Sequence, residues 1–372
     1  MKKNAAARAI AILTLLGQGA CDPGMVGGEE DDDFGEEVSP DGDRDPFAAD
    51  SGCDRGSYLP FRGDLHNHTT DSDGKGSPES AFNAGAGLDF LAVTDHTHYL
   101  TEGEYSGCSK LADKATVPGR FVAICGLEIE VAGPNHSHAN FLFEPPVIKK
   151  RAESVSDTYS RLKACKGCVG QFNHPASGRF PWRSFQRDTV ADGKMELIEL
   201  NGAPGWTEAL DAYVRALDRG WRVAPSWNGD THDGEWGAKP RRTVVFSDQL
   251  SFDGLRGAIR SKRTCAADDE NATLVLKAGR WMDSCWMGSQ LRGVSETQTL
   301  HVEATDHVGD NYSWIKLVGR DGEELGRVDC GGDKNICRGT LTVNLTLPTY
   351  VFAVAKQVDD DHVVSAPIWF LK

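Results

Sequence analysis

Short apolar runs alternate with helix-like stretches between residues 58 and 264. Continuous apolar runs of this length are typical of strands buried on both faces. One helix-like stretch opens at Ser77 with Pro78 in its first turn, a favourable start for a helix. The predicted strands are residues 58–65, 89–94, 121–128, 138–143, 168–172, 196–200 and 222–227, and the predicted helices are residues 77–86, 153–164 and 207–219. This alternation predicts an α/β barrel or a doubly wound sheet.

The pattern changes after residue 264, where short strands with alternating polarity are separated by turns. Asp321-Gly322 and Gly331-Gly332 mark two of these turns. The predicted strands are residues 273–278, 299–304, 313–318, 340–345, 351–356 and 363–370. We therefore expect two folded domains, an α/β domain at residues 58–264 and a C-terminal β-sandwich-like domain at residues 265–372.

Residues 1–21 have the pattern of a secretory signal peptide: a basic start, an apolar run at residues 9–16 and small residues before Cys21. The apolar run is too short to span a membrane. Cys21 resembles the lipidated cysteine of a bacterial lipoprotein, although Gln18 stands where such sites usually carry Leu. We expect export in a bacterium, to the periplasm or beyond it, with membrane contact only through a lipidated Cys21.

Acidic residues are concentrated at residues 22–57. The net charge is −15. Residues 22–50 contain twelve Asp or Glu and one basic residue, Arg44. Such a segment cannot bury enough apolar surface to fold, so we predict a disordered linker. The acidic balance also argues against non-specific binding to nucleic acid.

Ten cysteines in an exported chain predict disulfides. Cys125 lies within the apolar run 121–129, and we expect it to be a buried free thiol. The expected pairs are Cys165 with Cys168, Cys330 with Cys337, and Cys53, Cys108, Cys265 and Cys285 in some order.

Histidines and acids follow the ends of five predicted strands. They are His66, His68, Asp95, His96, Glu128, His174, Asp230 and His232. Residues two apart on a strand point to the same side, so His66 and His68 are placed to bind one metal ion. A β/α barrel gathers the ends of its strands at one mouth, so this distribution favours the barrel over the doubly wound sheet.

Several short motifs together resemble one family, the PHP superfamily, which is named for polymerase and histidinol phosphatase. The motifs are Asp64-Leu-His66-Asn-His68, Ser72-Asp73-Gly74, Val93-Thr94-Asp95-His96, Gly126-Leu-Glu128, His138-Ala-Asn, Asn173-His174-Pro175 and Gly229-Asp230-Thr-His232. The resemblance covers residues 58–264. It implies a distorted seven-stranded β/α barrel of the PHP type.

The resemblance also implies a trinuclear metal site. The first metal would be held by His66, His68, Glu128 and Asp230. Glu128 would bridge to a second metal held by His138 and His174, and the third would be held by Asp73, His96 and His232. Such ligands suit two or three divalent ions of Zn, Mn or Fe.

Three further residues are assigned to catalysis. Asp95 would orient its neighbours. His98 and His136 are either proton donors to a leaving group or surface histidines flanking the cleft.

A metal cluster of this kind predicts hydrolysis of a small-molecule ester by a metal-bound hydroxide. The family favours a phosphoester, for which Lys75, Arg179, Arg241 and Arg242 are candidate cations; the alternative for each is a solvated surface charge. The tail Ser365-Ala-Pro-Ile-Trp369 instead resembles exported PHP hydrolases related to carbaryl hydrolase, so a carboxyl ester or carbamate substrate stays open. A third alternative is a non-catalytic surface binding protein with structural metals.

Overall fold

The computed structural model describes residues 52–132, 137–146, 149–177, 182–201, 205–280 and 283–372. These ranges contain twenty strands and six α-helices, so strands dominate a mixed α/β architecture. Among the helices in these ranges, none is long and apolar enough to cross a membrane. The predicted signal peptide at residues 1–21 and residues 22–51 of the predicted linker lie outside the described residues and stay predictions. The end of that linker was wrongly predicted as disordered, because Cys53 forms a disulfide with Cys285 and Asp54 Oδ2 lies 2.5 Å from Arg263 Nη1.

Ten strands and all six helices lie in the first part of the described chain. The strands are β1 (Leu59–Asp64), β2 (Phe90–Val93), β3 (Val122–Cys125), β4 (Leu127–Glu130), β5 (His138–Leu142), β6 (Val169–Asn173), β7 (Met195–Glu199), β8 (Ala224–Ser226), β9 (Arg242–Ser247) and β10 (Thr264–Ala267). The helices are α1 (Pro78–Ala84), α2 (Glu102–Ala115), α3 (Val155–Ala164), α4 (Trp182–Phe185), α5 (Trp206–Asp218) and α6 (Phe252–Arg260). Every strand and helix predicted for residues 58–264 has a counterpart, whereas α2, α4, α6, β9 and β10 were not predicted.

Local capping explains where the helices begin. Ser77 Oγ accepts a hydrogen bond from the Ser80 amide at 3.2 Å, as expected for a serine at this position. At the start of α2, Thr101 Oγ1 accepts from the Glu104 amide at 3.2 Å and Glu104 Oε2 accepts from the Thr101 amide at 2.7 Å. This reciprocal pair forms a capping box, which begins a helix whose own residues are mostly polar.

The predicted seven-stranded barrel does not close into one ladder within the described residues. One row of strands runs β10-β9-β1-β2-β3, and a separate sheet runs β4-β5-β6-β7-β8. Isolated β-bridges connect the two rows: Asn67, after β1, pairs with Thr231, after β8, and His96, after β2, pairs with Glu128 on β4. The predicted strand at residues 121–128 is divided at Gly126 into β3 of the first row and β4 of the second. A Cβ at Gly126 would lie only 2.8 Å from the Phe141 carbonyl oxygen, too close for a larger residue without a shift of the backbone.

Strand directions also differ from those of a parallel barrel. The pairs β1–β2, β2–β3, β6–β7 and β7–β8 are parallel. The pairs β1–β9, β9–β10, β4–β5 and β5–β6 are antiparallel. The fold is therefore a mixed α/β arrangement that contains both parallel and antiparallel strand pairs.

Ten further strands follow residue 271. They are β11 (Ala272–Arg280), β12 (Asp283–Trp286), β13 (Gln290–Arg292), β14 (Thr297–Asp306), β15 (Tyr312–Val318), β16 (Glu324–Asp329), β17 (Ile336–Asn344), β18 (Thr349–Gln357), β19 (His362–Ser365) and β20 (Ile368–Leu371). A four-stranded sheet, β12-β11-β14-β17, shares one hydrophobic core with β15 and β18, an arrangement that resembles a sandwich. Because β19 pairs with β10, the row that contains β1 continues into strands of this region, including β18 and β20, and the domain boundary at residue 264 stays a prediction.

Four disulfides lie within the described residues. They are Cys53–Cys285, Cys108–Cys125, Cys165–Cys168 and Cys330–Cys337. The expectation that Cys125 is a free thiol was wrong, because α2 packs on β3 and brings Cys108 to it. The buried free thiol is instead Cys265, which lies in the core on β10.

Candidate metal centre

His66 and His68 lie just beyond β1 on a segment that is fixed at both ends. The His66 amide donates to Asp64 Oδ1 at 3.0 Å, and the His68 amide donates to the Thr231 carbonyl at 2.9 Å. Both imidazole rings are fully buried. Because the two residues alternate along an extended chain, their rings point to the same side and their Nε2 atoms lie 3.2 Å apart.

Glu128 and Asp230 complete a first group of ligand atoms around these two nitrogens. His66 Nε2 lies 3.2 Å from Glu128 Oε1 and 3.4 Å from Asp230 Oδ1. His68 Nε2 lies 3.3 Å from both Glu128 Oε2 and Asp230 Oδ1. Glu128 comes from β4 and Asp230 from the loop after β8, so the fold brings together the four residues predicted for the first metal.

A second group forms around the two oxygens of Glu128. Its Oε1 lies 3.2 Å from His138 Nδ1, at the start of β5, and 3.5 Å from His174 Nε2, just after β6. Its Oε2 lies 3.1 Å from His96 Nδ1. Glu128 thus contacts residues of both the first and the second group, with His96 as an additional neighbour, and a bridge between two metals stays a prediction.

Asp73 is the centre of a third group on the more open side of the cluster. Its carboxylate lies 3.3 Å from His232 Nε2, 3.7 Å from His96 Nε2 and 3.8 Å from His68 Nδ1. The side chains of Asp73 and His232 are 44% and 39% exposed, respectively. His68 and His96 therefore each present one ring nitrogen to this group and the other to a neighbouring group.

The charges and donors of the cluster fit divalent cations. Burial opposes protonation of His66, but the carboxylates of Glu199, Asp230 and Glu128 raise its pKa well above the ordinary value. Asp230 and Glu128 likewise overcome burial and raise the pKa of His68 to about 9. Two protonated rings would direct N–H groups at each other across 3.2 Å between the Nε2 atoms, whereas one cation would satisfy both nitrogens and both carboxylates.

Hydrogen-bond geometry gives a second indication of this fit. His96 Nδ1 is buried and lies 3.1 Å from Glu128 Oε2, yet the two atoms lack the geometry of a hydrogen bond. Burial lowers the pKa of His96 to about 4, which leaves its ring neutral and able to ligate a cation. Mixed nitrogen and oxygen donors of this kind suit Zn, Mn or Fe.

Glu199, at the end of β7, supports the first group and was not assigned from the sequence. Its fully buried carboxylate lies 3.0 Å from His66 Nδ1 through Oε1. Oε1 also accepts from Asn228 Nδ2 at 2.9 Å, and Oε2 accepts from the His174 amide at 2.8 Å. The one signal in the sequence is an acid at the end of the predicted strand 196–200, the position at which the other strands carry ligands.

Replacing Glu199 by Gln should weaken metal binding while preserving the fold. The amide keeps the size of the side chain but removes the charge that fixes the His66 ring, so we expect metal affinity to fall by about 10- to 100-fold. Competition with a chromogenic chelator measures this affinity. Glu196→Gln is the matched control, because Glu196 lies on the same strand and pairs with Lys262 instead. Equal affinities in the two variants would contradict a role for Glu199 in orienting His66.

Asp95 was predicted to orient its neighbours, and its contacts are to a loop rather than to a histidine ring. Oδ1 accepts from the Thr69 amide and Oδ2 from Thr69 Oγ1, both at 2.7 Å. Ser72 Oγ also donates to Asp95. The carboxylate therefore holds the loop that carries Asp73.

His98 lies beside the cluster, with its ring centroid 5.5 Å from that of His96. Its Nε2 atom lies 3.1 Å from Arg151 Nη2 and 3.8 Å from Glu130 Oε2. The Arg151 side chain is 49% exposed and donates from Nε to Glu130 at 2.8 Å. This placement gives the edge of the site an accessible cation that the sequence did not indicate.

The basic residues predicted to bind a phosphoester differ from one another in exposure and contacts. Lys75 is exposed, and its amide donates to the His232 carbonyl at 3.0 Å. Arg241 lies 3.2 Å from Asp268, whereas Arg242 is buried and donates to backbone carbonyls, so the candidacy of Arg242 for substrate binding was wrong. Two other predicted site residues lie outside the described residues: His136 and Arg179.

Comparisons with known proteins give distant likenesses. No family model and no curated protein matches the chain. A solved two-domain protein from Bacteroides vulgatus, described as containing a predicted PHP-like metal-dependent phosphoesterase, is 18% identical over 85% of this chain and 97% of its own, with a TM-score of 0.45.

Two other solved structures are more remote. An AA10 lytic polysaccharide monooxygenase from Streptomyces lividans is 12% identical over 25% of this chain and 64% of its own, with a TM-score of 0.19. An engineered protein is 13% identical over 77% of this chain and 49% of its own, with a TM-score of 0.21. At these identities and TM-scores, none of the three structures defines the fold or the activity of this chain.

Proposed function

We propose that this protein is a metal-dependent hydrolase of the PHP type that acts on a phosphoester. The observation that supports this proposal is the sharing of ligands between the three groups. Glu128, His68 and His96 each face two groups, so the cluster suits two or three neighbouring cations. A structural site generally holds one closed ion, whereas neighbouring cations with an open side are typical of hydrolytic sites.

Each set of residues at the metal centre has a separate role in the proposed reaction. His66, His68, Glu128 and Asp230 form the buried part of the centre, and Glu199 fixes the tautomer of His66 by accepting from its Nδ1. When bound, divalent ions would lower the pKa of water and neutralise charge that develops on a phosphoryl group.

Substrate would enter at the open side, where Asp73 and His232 are exposed. Arg151 lies at the same cluster's edge and could pair with a phosphate oxygen, because its guanidinium is about half exposed. The proton-donor role predicted for His98 stays a prediction, because Arg151 Nη2 lies 3.1 Å from its Nε2 and burial, together with Arg151, lowers the pKa of the ring.

Turnover by the purified, metal-loaded chain tests the proposal. We would compare an aryl phosphate monoester, an aryl phosphate diester and an aryl carbamate, with His66→Ala as the background. His307→Ala is the matched control, because this histidine is exposed and follows β14, outside the three ligand groups. We expect a phosphate ester to be hydrolysed by the wild type and by His307→Ala, and not by His66→Ala.

The other outcomes separate the alternatives. Hydrolysis of the carbamate alone would keep the metal centre but replace phosphoesters by carbamates as the substrate class. If the wild type binds metal and is as inert as His66→Ala on all three esters, a non-catalytic binding protein becomes the better description.

We also propose that the protein is exported and held at a membrane only through a lipidated Cys21. The four disulfides support export, because disulfides form and persist in oxidising compartments and are rare in the cytosol.

A further inference from the structure

Three aspartates meet at one end of the C-terminal strands, away from the metal centre. Asp269 follows β10, Asp306 ends β14, and Asp310 lies in the loop before β15. One carboxylate oxygen from each lies within 4.8 Å of the other two. Asp269 and Asp306 are buried, whereas Asp310 is exposed to solvent. We refer to these three residues as the aspartate cluster.

Among the described residues, basic side chains do not contact the carboxylates of the aspartate cluster, although Asp269 acts from a distance to raise the pKa of Arg242, which burial lowers. In the part of the chain that the structure describes, none of the three carboxylates forms a salt bridge. Arg241, a nearby cation, is 3.2 Å from a different carboxylate, that of Asp268. Burial and the neighbouring charge of Asp306 raise the pKa of Asp269. Carboxylates this close repel each other strongly unless a cation or a proton lies between them.

Backbone amides hold the two buried carboxylates in fixed orientations. Asp306 Oδ1 accepts from the amides of Val308 at 2.7 Å and Gly309 at 3.0 Å. Asp269 Oδ1 accepts from the amides of Asn271 at 2.5 Å and Ala272 at 3.1 Å. Fixed oxygens lose little conformational entropy when they bind a ligand.

A buried amide next to the aspartate cluster points to a ligand independently of these charges. Gln357, at the end of β18, has no exposed surface, and its Nε2 donates to Asp306 Oδ2 at 2.9 Å. Among the described residues, its Oε1 has no hydrogen-bond partner. The hydroxyl of Tyr312, which pairs with Gln357 across β15 and β18, is likewise buried without a partner. Buried polar atoms are rarely left unsatisfied, so the side chain of Gln357 presents an unused oxygen beside the carboxylates.

We propose that Asp269, Asp306 and Asp310 form a calcium site. Gln357, whose Nε2 donates to Asp306, would supply its Oε1 atom as a fourth oxygen. All of these donors are oxygens, which suit a hard cation, and the absence of nitrogen or sulfur donors within this set disfavours zinc. Calcium also accepts irregular sets of ligands from separate loops more readily than magnesium does. The ion would connect the ends of β10, β14 and β18 with the start of β15, a role that is separate from the proposed hydrolysis.

Calcium binding to the full chain tests this proposal. The protein is stripped of metals with a chelator, the chelator is removed, and CaCl₂ is added up to about 10 mM, above the affinity range of weak extracellular calcium modules. Calorimetry measures the dissociation constant and scanning fluorimetry measures Tm. We expect Tm to rise with CaCl₂ and to rise less with MgCl₂.

Asp310→Asn is the decisive variant, because its side chain is exposed and its loss leaves no cavity. We expect the dissociation constant for calcium to rise by about tenfold or more, since the number of charged ligands sets the affinity. Asp113→Asn is the matched control, which removes an exposed aspartate from α2.

Two results would overturn the calcium site. The first is a wild-type Tm that does not change with calcium, as expected if the carboxylates share a proton instead. The second is equal calcium affinity in Asp310→Asn and Asp113→Asn. The same titration on His66→Ala distinguishes the two sites: an unchanged response supports the aspartate cluster, and a lost response would place the ion at the metal centre.

Discussion

Replacing Glu128 by Gln should abolish both metal loading and turnover. Glu128 is a residue whose carboxylate faces two ligand groups. Its oxygens lie beside His66 and His68 in the first group, and beside His138, His174 and His96 in the second. The glutamine side chain keeps one oxygen in a similar place but loses the negative charge. In place of the other oxygen it presents an N–H₂ group, which cannot ligate a cation. We expect kcat/KM to fall by more than about 100-fold, the upper range for losing only an outer partner of a metal ligand.

The matched control for this variant is Glu130→Gln. Glu130 lies two residues further along β4 and forms a salt bridge with Arg151. Its replacement therefore also removes one negative charge, but from beside the cluster instead of from within it. Metal content per chain, measured by mass spectrometry, should fall in Glu128→Gln and stay at the wild-type level in Glu130→Gln. If Glu128→Gln keeps the wild-type metal content and turnover, Glu128 is not a shared ligand.

Much of the candidate site could be predicted from the sequence because most of its residues follow the ends of predicted strands, whereas Asp73 and His138 were assigned only through the resemblance to the PHP superfamily. The nine residues predicted as ligands, from His66 to His232, are all described, and the fold brings their side chains into the three groups. A strand and the residues that follow it are close in sequence, so a local pattern is sufficient to locate them. That these residues hold metal ions remains part of the proposed function.

Glu199 also lies at the end of a predicted strand, but none of the motifs that carry the resemblance includes it, and its role depends on a contact with a residue 133 positions away, His66. The seven-stranded barrel stays a prediction for a related reason. Hydrophobic runs indicate that strands are buried, but they do not specify strand direction or which strands pair. The antiparallel pairing of β1 with β9 is fixed by tertiary contacts.

Cys125 was wrongly predicted to be a free thiol because the helix α2 was not predicted. Cys108 lies on α2, where few residues are buried and the apolar periodicity is therefore weak. Without that helix, nothing in the sequence placed Cys108 against Cys125 on β3. The apolar run around Cys125 correctly indicated burial, but burial of a cysteine is equally compatible with a disulfide and with a free thiol.

Removal of the metal ions should make the stability of the protein fall steeply as the pH rises above neutrality. In the metal-free fold, nearby carboxylates raise the pKa of His68 to about 9, from an ordinary value of 6.5, and raise that of His66 in the same direction. A group whose pKa is raised by folding stabilises the fold fully below its unfolded pKa, and this contribution is lost as the pH rises through the folded pKa. For His68 the loss between about pH 6 and pH 10 is about 3 kcal/mol.

Urea unfolding of the chelator-treated and metal-loaded proteins at several pH values in this range measures the effect. Lysine and tyrosine side chains also titrate at high pH, but they do so in both forms, so the difference between the two free energies of unfolding isolates the cluster. In the loaded protein the ring nitrogens would bind metal and stay unprotonated, which removes this source of pH dependence. We therefore expect the metal-free protein to lose more stability than the loaded protein between pH 6 and pH 10. Parallel pH profiles would contradict the placement of cations between His66, His68 and their carboxylates.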